Sequence, residues 1–256
     1  MHLIDTHCHL HVAAFDADRL AVMQRSATAG VTDIVVPAIH AAGWAKLLAL
    51  CANIQRPTLH SALGLHPLFL SQHQTVDLAA LAQAVRQQPP IAIGEIGLDF
   101  FNPNCDFSRQ QELFVAQLAI AQDADLPVLL HVRRAHDAVL LTLRQFPQIT
   151  GIVHAFNGSS QQAAQYLARG FKLGFGGMLT FARATKLRRL AAELPLDAIV
   201  LETDAPDMTG AAHRGERNSP EYLPEVLATL AALRHTDAAT LAAATSANAR
   251  AVLQLP

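Results

Sequence analysis

Residues 127–156 read PVLLHVRRAHDAVLLTLRQFPQITGIVHAF. An apolar run of strand length, PVLLHV, leads into a stretch of helical spacing, HDAVLLTLRQF, and a second strand-length run, GIVHAF, follows. This spacing predicts two parallel strands joined by a crossover helix. Upstream the same kind of run recurs as HLIDTHCHL from His2, TDIVVPAI from Thr32, LHSALGLH from Leu59 and IAIGEIGL from Ile91. Downstream it recurs as FKLGFGGM from Phe171 and AIVLETD from Ala198, which makes eight at steps of roughly 20 to 36 residues. Between the runs lie helical stretches such as RLAVMQRSATAG, LAALAQAVRQQ, RQQELFVAQLAIAQDAD and SSQQAAQYLARG, with Gly30, Pro89 and Gly170 placed where helices stop. Eight right-handed crossovers close most naturally into a (β/α)8 TIM barrel, an α/β fold, with an open doubly wound sheet as the runner-up. The unit from Phe171 to Ala198 is the weakest, because its strand is glycine-rich and its helix, ATKLRRLAAEL, is short. After the eighth run, EYLPEVLATLAALR and DAATLAAATSANARAVLQL are expected to pack outside the barrel and cap one end of a single domain spanning residues 1–256.

The composition excludes several classes. With 51% hydrophobic residues and 16% charged ones, the chain has the apolar material for a large core and is not a disordered segment. No apolar run approaches the roughly 20 residues of a membrane span, and the start MHLIDTHCHL lacks the pattern of an export signal. Cys8, Cys51 and Cys105 are odd in number, widely spaced and without a C-x-x-C pair, which fits a reducing, cytoplasmic setting. Nineteen basic against 21 acidic side chains give no global attraction to polyanions, so any nucleic-acid contact must be local.

The chemistry gathers at the C-terminal ends of the runs, where a parallel barrel builds its active site. Strand alternation places His7 and His9 of DTHCH on one side together with Asp5. By the same parity Glu95 follows Ile91 and Ile93, His131 follows Leu129, His154 follows Ile152, and Val200, Glu202 and Asp204 share a face. Taken singly, each has an ordinary reading as a hydrogen-bonded polar group in the core. Four histidines and two carboxylates converging at one rim need compensating charge, because carboxylates repel and neutral imidazoles do not repay their desolvation. Divalent metal supplies it, and two ions about 3.5 to 4 Å apart would use all six side chains.

DTHCH, GEIGLDF, HVRRAHD, GIVHAFNGS and LETDAP stand in an order and at intervals that resemble the TatD family of metal-dependent deoxyribonucleases, among the amidohydrolase-type barrels. The likeness runs from about His2 to about Pro206, with NSP near Ser219 and the terminal helices also family-like. It implies that His7, His9 and Asp204 hold one ion, His131 and His154 a second, and Glu95 bridges both, in place of the carboxylated lysine of many related hydrolases. The ions implied are two divalent metals, chosen among zinc, manganese, magnesium, cobalt and nickel. The activity implied is hydrolysis of DNA phosphodiester bonds by a metal-activated water, with a 3′-5′ exonucleolytic mode open.

Other residues have expected roles around this centre. Glu95 and Asp204 are the catalytic carboxylates, Asp204 taking the proton of the water, and Glu202 orients a ligand histidine. His66 of LGLHP is placed to hydrogen-bond a phosphate, or is a loop histidine before a turn proline, and Arg133 is placed to clamp a phosphate oxygen, or is a solvated strand-end arginine. FARATKLRR and HRGER add loop cations that would hold a nucleic-acid strand if they face the pocket, and a solvated helix face otherwise. No aromatic stacking platform is evident, although Phe100, Phe101 and Phe156 fall near the mouth. Two further readings compete: a metal-dependent hydrolase of a non-nucleic-acid ester or amide, such as an aminoacyl ester or lactone, and a non-catalytic binding protein stabilised by metal.

Overall fold

The computed structural model of the protein describes residues 2–53 and 56–255. Eight strands, β1 (Leu3–Asp5), β2 (Val31–Pro37), β3 (Thr58–Leu63), β4 (Ala92–Asp99), β5 (Val128–Arg133), β6 (Gly151–Val153), β7 (Lys172–Phe175) and β8 (Ile199–Leu201), follow one another around a parallel sheet in chain order. The helices between them are α1 (Arg19–Thr28), α2 (Trp44–Asn53), α3 (Thr75–Gln87), α4 (Phe107–Asp123), α5 (His136–Leu143), α6 (Ser160–Leu167) and α7 (Thr185–Glu193). After β8 come α8 (Leu223–Arg234) and α9 (Ala238–Leu253). Helix starts are set locally: the Asp106 carboxylate accepts from Arg109 N–H at 2.9 Å, and Ser159 and Gln162 form a reciprocal capping box.

The seam between the last strand and the first closes just beyond their paired residues. Leu201 O accepts from Thr6 N, His7 O from Asp204 N, and Ala205 O from His9 N, at 2.8 to 3.0 Å. The result is a (β/α)8 barrel, with a wide apolar layer between the sheet and the surrounding helices. Ile4, Val35, Ala62, Ala92, Leu129, Ile152 and Val200 fill the barrel's lower interior. Ala249, Val252 and Leu253 of α9 pack onto this group and stop the end opposite the site, as expected of a terminal cap. Among the described residues no helix is long and apolar enough to cross a membrane.

The structure corrects simple alternation twice. Ala92, not Ile93, faces the barrel interior, so period two would turn Glu95 outward; a shift of register between Ile93 and Ile96 brings it in. On β1 it is Ile4 that faces inward, and Asp5 takes no place beside the histidines. Its carboxylate accepts from the Thr203 hydroxyl at 2.6 Å and from Thr203 N–H at 3.0 Å. Strand β7 is also shorter than FKLGFGGM, because Gly177–Thr180 coil into a 3₁₀ turn. Gly174 leaves room for Glu202: a Cβ there would lie 2.1 Å from Glu202 Oε2.

Candidate metal centre

All six residues expected at the rim meet there, around Glu95. Its Oε2 lies 3.0 Å from His7 Nε2 and 3.2 Å from His9 Nε2. The two imidazole nitrogens are 3.3 Å apart, and Asp204 Oδ1 stands 3.6 and 3.8 Å from them. The other oxygen, Oε1, lies 2.9 Å from His131 Nδ1 and 3.2 Å from His154 Nε2. His154 sits between the two groups, its ring stacked on His7 at a centroid distance of 3.9 Å and its donor also within reach of Asp204. Hence one carboxylate presents each of its oxygens to a separate set of donors.

These donors fit divalent ions. A tetrahedral ion with bonds of about 2.0 Å sets its donors about 3.3 Å apart, close to the spacing within the His7, His9, Glu95 set. Tautomers agree. His9 Nδ1 is 3.2 Å from Pro37 O, which can only accept, so that nitrogen carries the proton and Nε2 offers a lone pair to the cluster. His131 Nε2 is 2.9 Å from Asp99 Oδ2, which frees Nδ1 in the same way. His154 turns Nδ1 toward Glu202 Oε1, at 3.5 Å, and keeps Nε2 inward. Glu202 is itself fixed by the Ala155 N–H, which donates to Oε1.

His66 differs. Its Nε2 is 3.1 Å from Glu95 Oε1, within the same cluster. Its Nδ1, however, accepts from Leu68 N–H at 3.1 Å, so the proton of the neutral ring is on Nε2. This histidine presents a hydrogen-bond donor where the others present lone pairs. Burial keeps it neutral, lowering it to about 4.

The two central carboxylates are unlike. Burial alone would raise Glu95, but its electrostatic interactions with the facing imidazoles of His66, His7 and His154, and the hydrogen bond with His131, more than offset it and hold the group well below its ordinary value. Burial raises Asp204 to about 6, with His154 and His9 pulling the other way. The Glu95 side chain is 1% exposed and that of Asp204 14%, so Asp204 is the more open of the two toward the cavity. Asp204 also has a positive φ of 60°, which an Asp adopts more readily than most residues, and its N–H is tied to His7 O at 2.8 Å.

A cavity of about 520 Å³ opens over the centre, lined by His9, His66, Glu95, His131, His154 and Asp204, with Arg133 among the residues at its side. The Arg133 guanidinium lies 3.6 Å over the Phe101 ring and that of Arg134 4.7 Å from the same ring. Phe101 is 46% exposed and lies near the mouth, as the sequence reading had it, with its ring under the Arg133 guanidinium. Phe100 is half-buried and Phe156 is core. Of the loop cations, Arg217 is held in a forked pair with Asp18 at 2.7 and 2.8 Å, well accounted for without a ligand, whereas Arg183 and Lys186 line a neighbouring cavity. Asp99 is the site residue that sequence reading passed over. It has the parity of Glu95 within GEIGLDF, the one signal that marked it.

The model of the family described as "TatD related DNase" matches residues 4–254. An uncharacterized metal-dependent hydrolase of Escherichia coli K12, YjjV, is 45% identical over 99% of this chain and 98% of its own. A protein of Erwinia tasmaniensis named 3'-5' ssDNA/RNA exonuclease TatD is 33% identical over 99% of this chain and all of its own, 100%. The crystal structure of YjjV, described as a TatD homolog, superposes with a TM-score of 0.94 at 44% identity, covering 99% of this chain and 98% of that one.

Proposed function

Given that the chain belongs to the TatD related DNase family and is a metal-dependent hydrolase, we propose that it hydrolyses phosphodiester bonds of DNA at a centre of two divalent ions. The name of the Erwinia relative supports a single strand cut from its 3′ end as the form of substrate. The observation that carries the reading is Glu95, whose two oxygens face separate donor sets, His7, His9 and Asp204 on one side and His131 and His154 on the other. When bound, the ions supply Lewis acidity toward a phosphoryl oxygen and make water more acidic.

The protein's own groups position and neutralise. Asp204, the carboxylate more open to the cavity, accepts the proton of the attacking water. His66 donates from Nε2 to a non-bridging phosphate oxygen, a role its tautomer fits and metal ligation does not. Asp99 and Pro37 O hold the rings of His131 and His9, and Glu202 steadies His154. Arg133, laid on Phe101 beside the mouth, meets a phosphate further along the strand.

Turnover of a labelled single-stranded oligonucleotide by the chelated protein, the metal-restored protein and Glu95→Ala tests this. Only the restored wild-type protein should cut, with chelation and substitution each costing at least about 10³-fold, the scale of losing a central charge-stabilising group. Equal rates in all three would refute the metal mechanism. Cleavage of esters or amides in place of oligonucleotide would refute the substrate.

A further inference from the structure

A second cavity, of about 420 Å³, lies against the first and shares Ala155, Asn157, Asp204 and Met208 with it. Its walls are largely apolar, formed by Phe156, Phe175, Leu187 and Leu190, while Gly174, Gly176 and Gly177 contribute backbone alone and Glu202 and Thr203 add polar groups. Arg183 and Lys186 stand beside it, exposed. Lys186 Nζ donates to Asn157 O at 2.8 Å, and the Arg183 guanidinium lies 5.7 Å from the Phe181 ring centre. Binding ions requires none of this.

The surrounding surface points the same way. Among the described residues, eight large apolar side chains are exposed, and four of them gather at this mouth. Met178 and Met208, each 37% exposed, line the second cavity; Leu68, 51% exposed, lines the first; Phe101 underlies Arg133. Apolar surface left open beside a charged centre, with cations at its edge, suits a group with apolar faces joined to an anion.

We propose that the second cavity receives the planar heterocyclic base of the nucleotide whose phosphate lies at the ion centre. The shared Asp204 places the cavity directly beside the ion centre. Its apolar walls suit the faces of a base, the Thr185 hydroxyl and Arg183 can meet the base edge, and Lys186 adds positive charge for the strand. Walls of this kind discriminate weakly among bases. This assignment rests on the phosphodiesterase reading and adds the group that is recognised.

Calorimetric titration of the metal-loaded protein with thymidine monophosphate and with methyl phosphate tests it without turnover. The wild-type protein should prefer the nucleotide at least tenfold, or about 1.4 kcal/mol. Ala184→Trp, which fills the cavity from the start of α7, should bring that ratio close to one, and the ratio cancels any general weakening of the ion centre. Leu187→Asp, which makes one wall charged, should lower the same ratio and serves if the tryptophan variant does not fold. A wild-type ratio near one, or a preference that survives in the folded variants, overturns the proposal. A tenfold ratio in a protein that cuts no oligonucleotide would instead retire the nuclease reading and keep the base site, and cutting with a ratio of one would do the reverse.

Discussion

His66 and His131 stand 4.6 Å apart, centroid to centroid, against the same oxygen of Glu95, yet their protons lie on opposite sides of the chemistry. A backbone N–H spends the lone pair of His66, whereas a carboxylate takes the proton of His131. His66→Asn should therefore leave the metal content of the protein unchanged while lowering kcat/KM about 10²-fold, the cost of one donor to a developing oxyanion. Elemental analysis finding fewer ions in the variant would make His66 a ligand and refute the tautomer assignment. At this scale the sequence was most legible where family motifs quote a residue directly: His7, His9, Glu95, His131, His154 and Asp204 all meet. Asp99 escaped because an acid two turns of alternation past Glu95 looks like surface until its partner ring is known. Phe101 reads as near the mouth, but nothing in its neighbours fixes whether an aromatic ring after a strand is buried or bare.

Among elements, alternation held for β5, β6 and β8, where Leu129, Ile152 and Val200 face inward ahead of His131, His154 and Glu202. It failed on β1 and β4, whose ladders are irregular, and for Glu95 the right position came from a parity that the register shift overrode. Local composition cannot reveal such a shift, since it arises from how neighbouring strands seat against each other. Elsewhere a polar link joins β2, β3 and α9. Asp33 accepts from His60 at 2.9 Å and from Thr32 at 2.8 Å, and lies 3.3 Å from Arg250. Burial alone would raise the Asp33 carboxyl, but His60 and Thr32 hold it below its ordinary value. A carboxyl more acidic in the folded state stabilises the fold above its unfolded value, about 4, and loses that contribution as pH falls through the lower folded one. Asp33→Asn should lower Tm at pH 7, and the gap from wild type should narrow below about pH 4. A gap constant from neutral pH into acid would show that the charge plays no part.

For the whole molecule, barrel closure was readable from the count and spacing of strands, and a terminal cap was expected, but the burial of α9's last turn was not. Val252 and Leu253 are 8% and 1% exposed and belong to the apolar cluster that fills the barrel floor, so this turn serves as core although it follows the last strand. Leu253→Ala should cost about 2 to 5 kcal/mol of unfolding free energy in urea, as for other buried leucines. A loss below 0.5 kcal/mol, the range of surface changes, would mean that the barrel floor holds without the plug.

The seam between the first and last strands has a consequence for how the protein is made. His7 and His9 leave the ribosome early, while Asp204, whose N–H is tied to His7 O, follows almost two hundred residues later. A nascent chain therefore holds only part of the proposed centre until β8 and the residues just after it have been made, and every truncated product short of β8 lacks it for good. The proposed activity would be withheld from the polysome by topology alone.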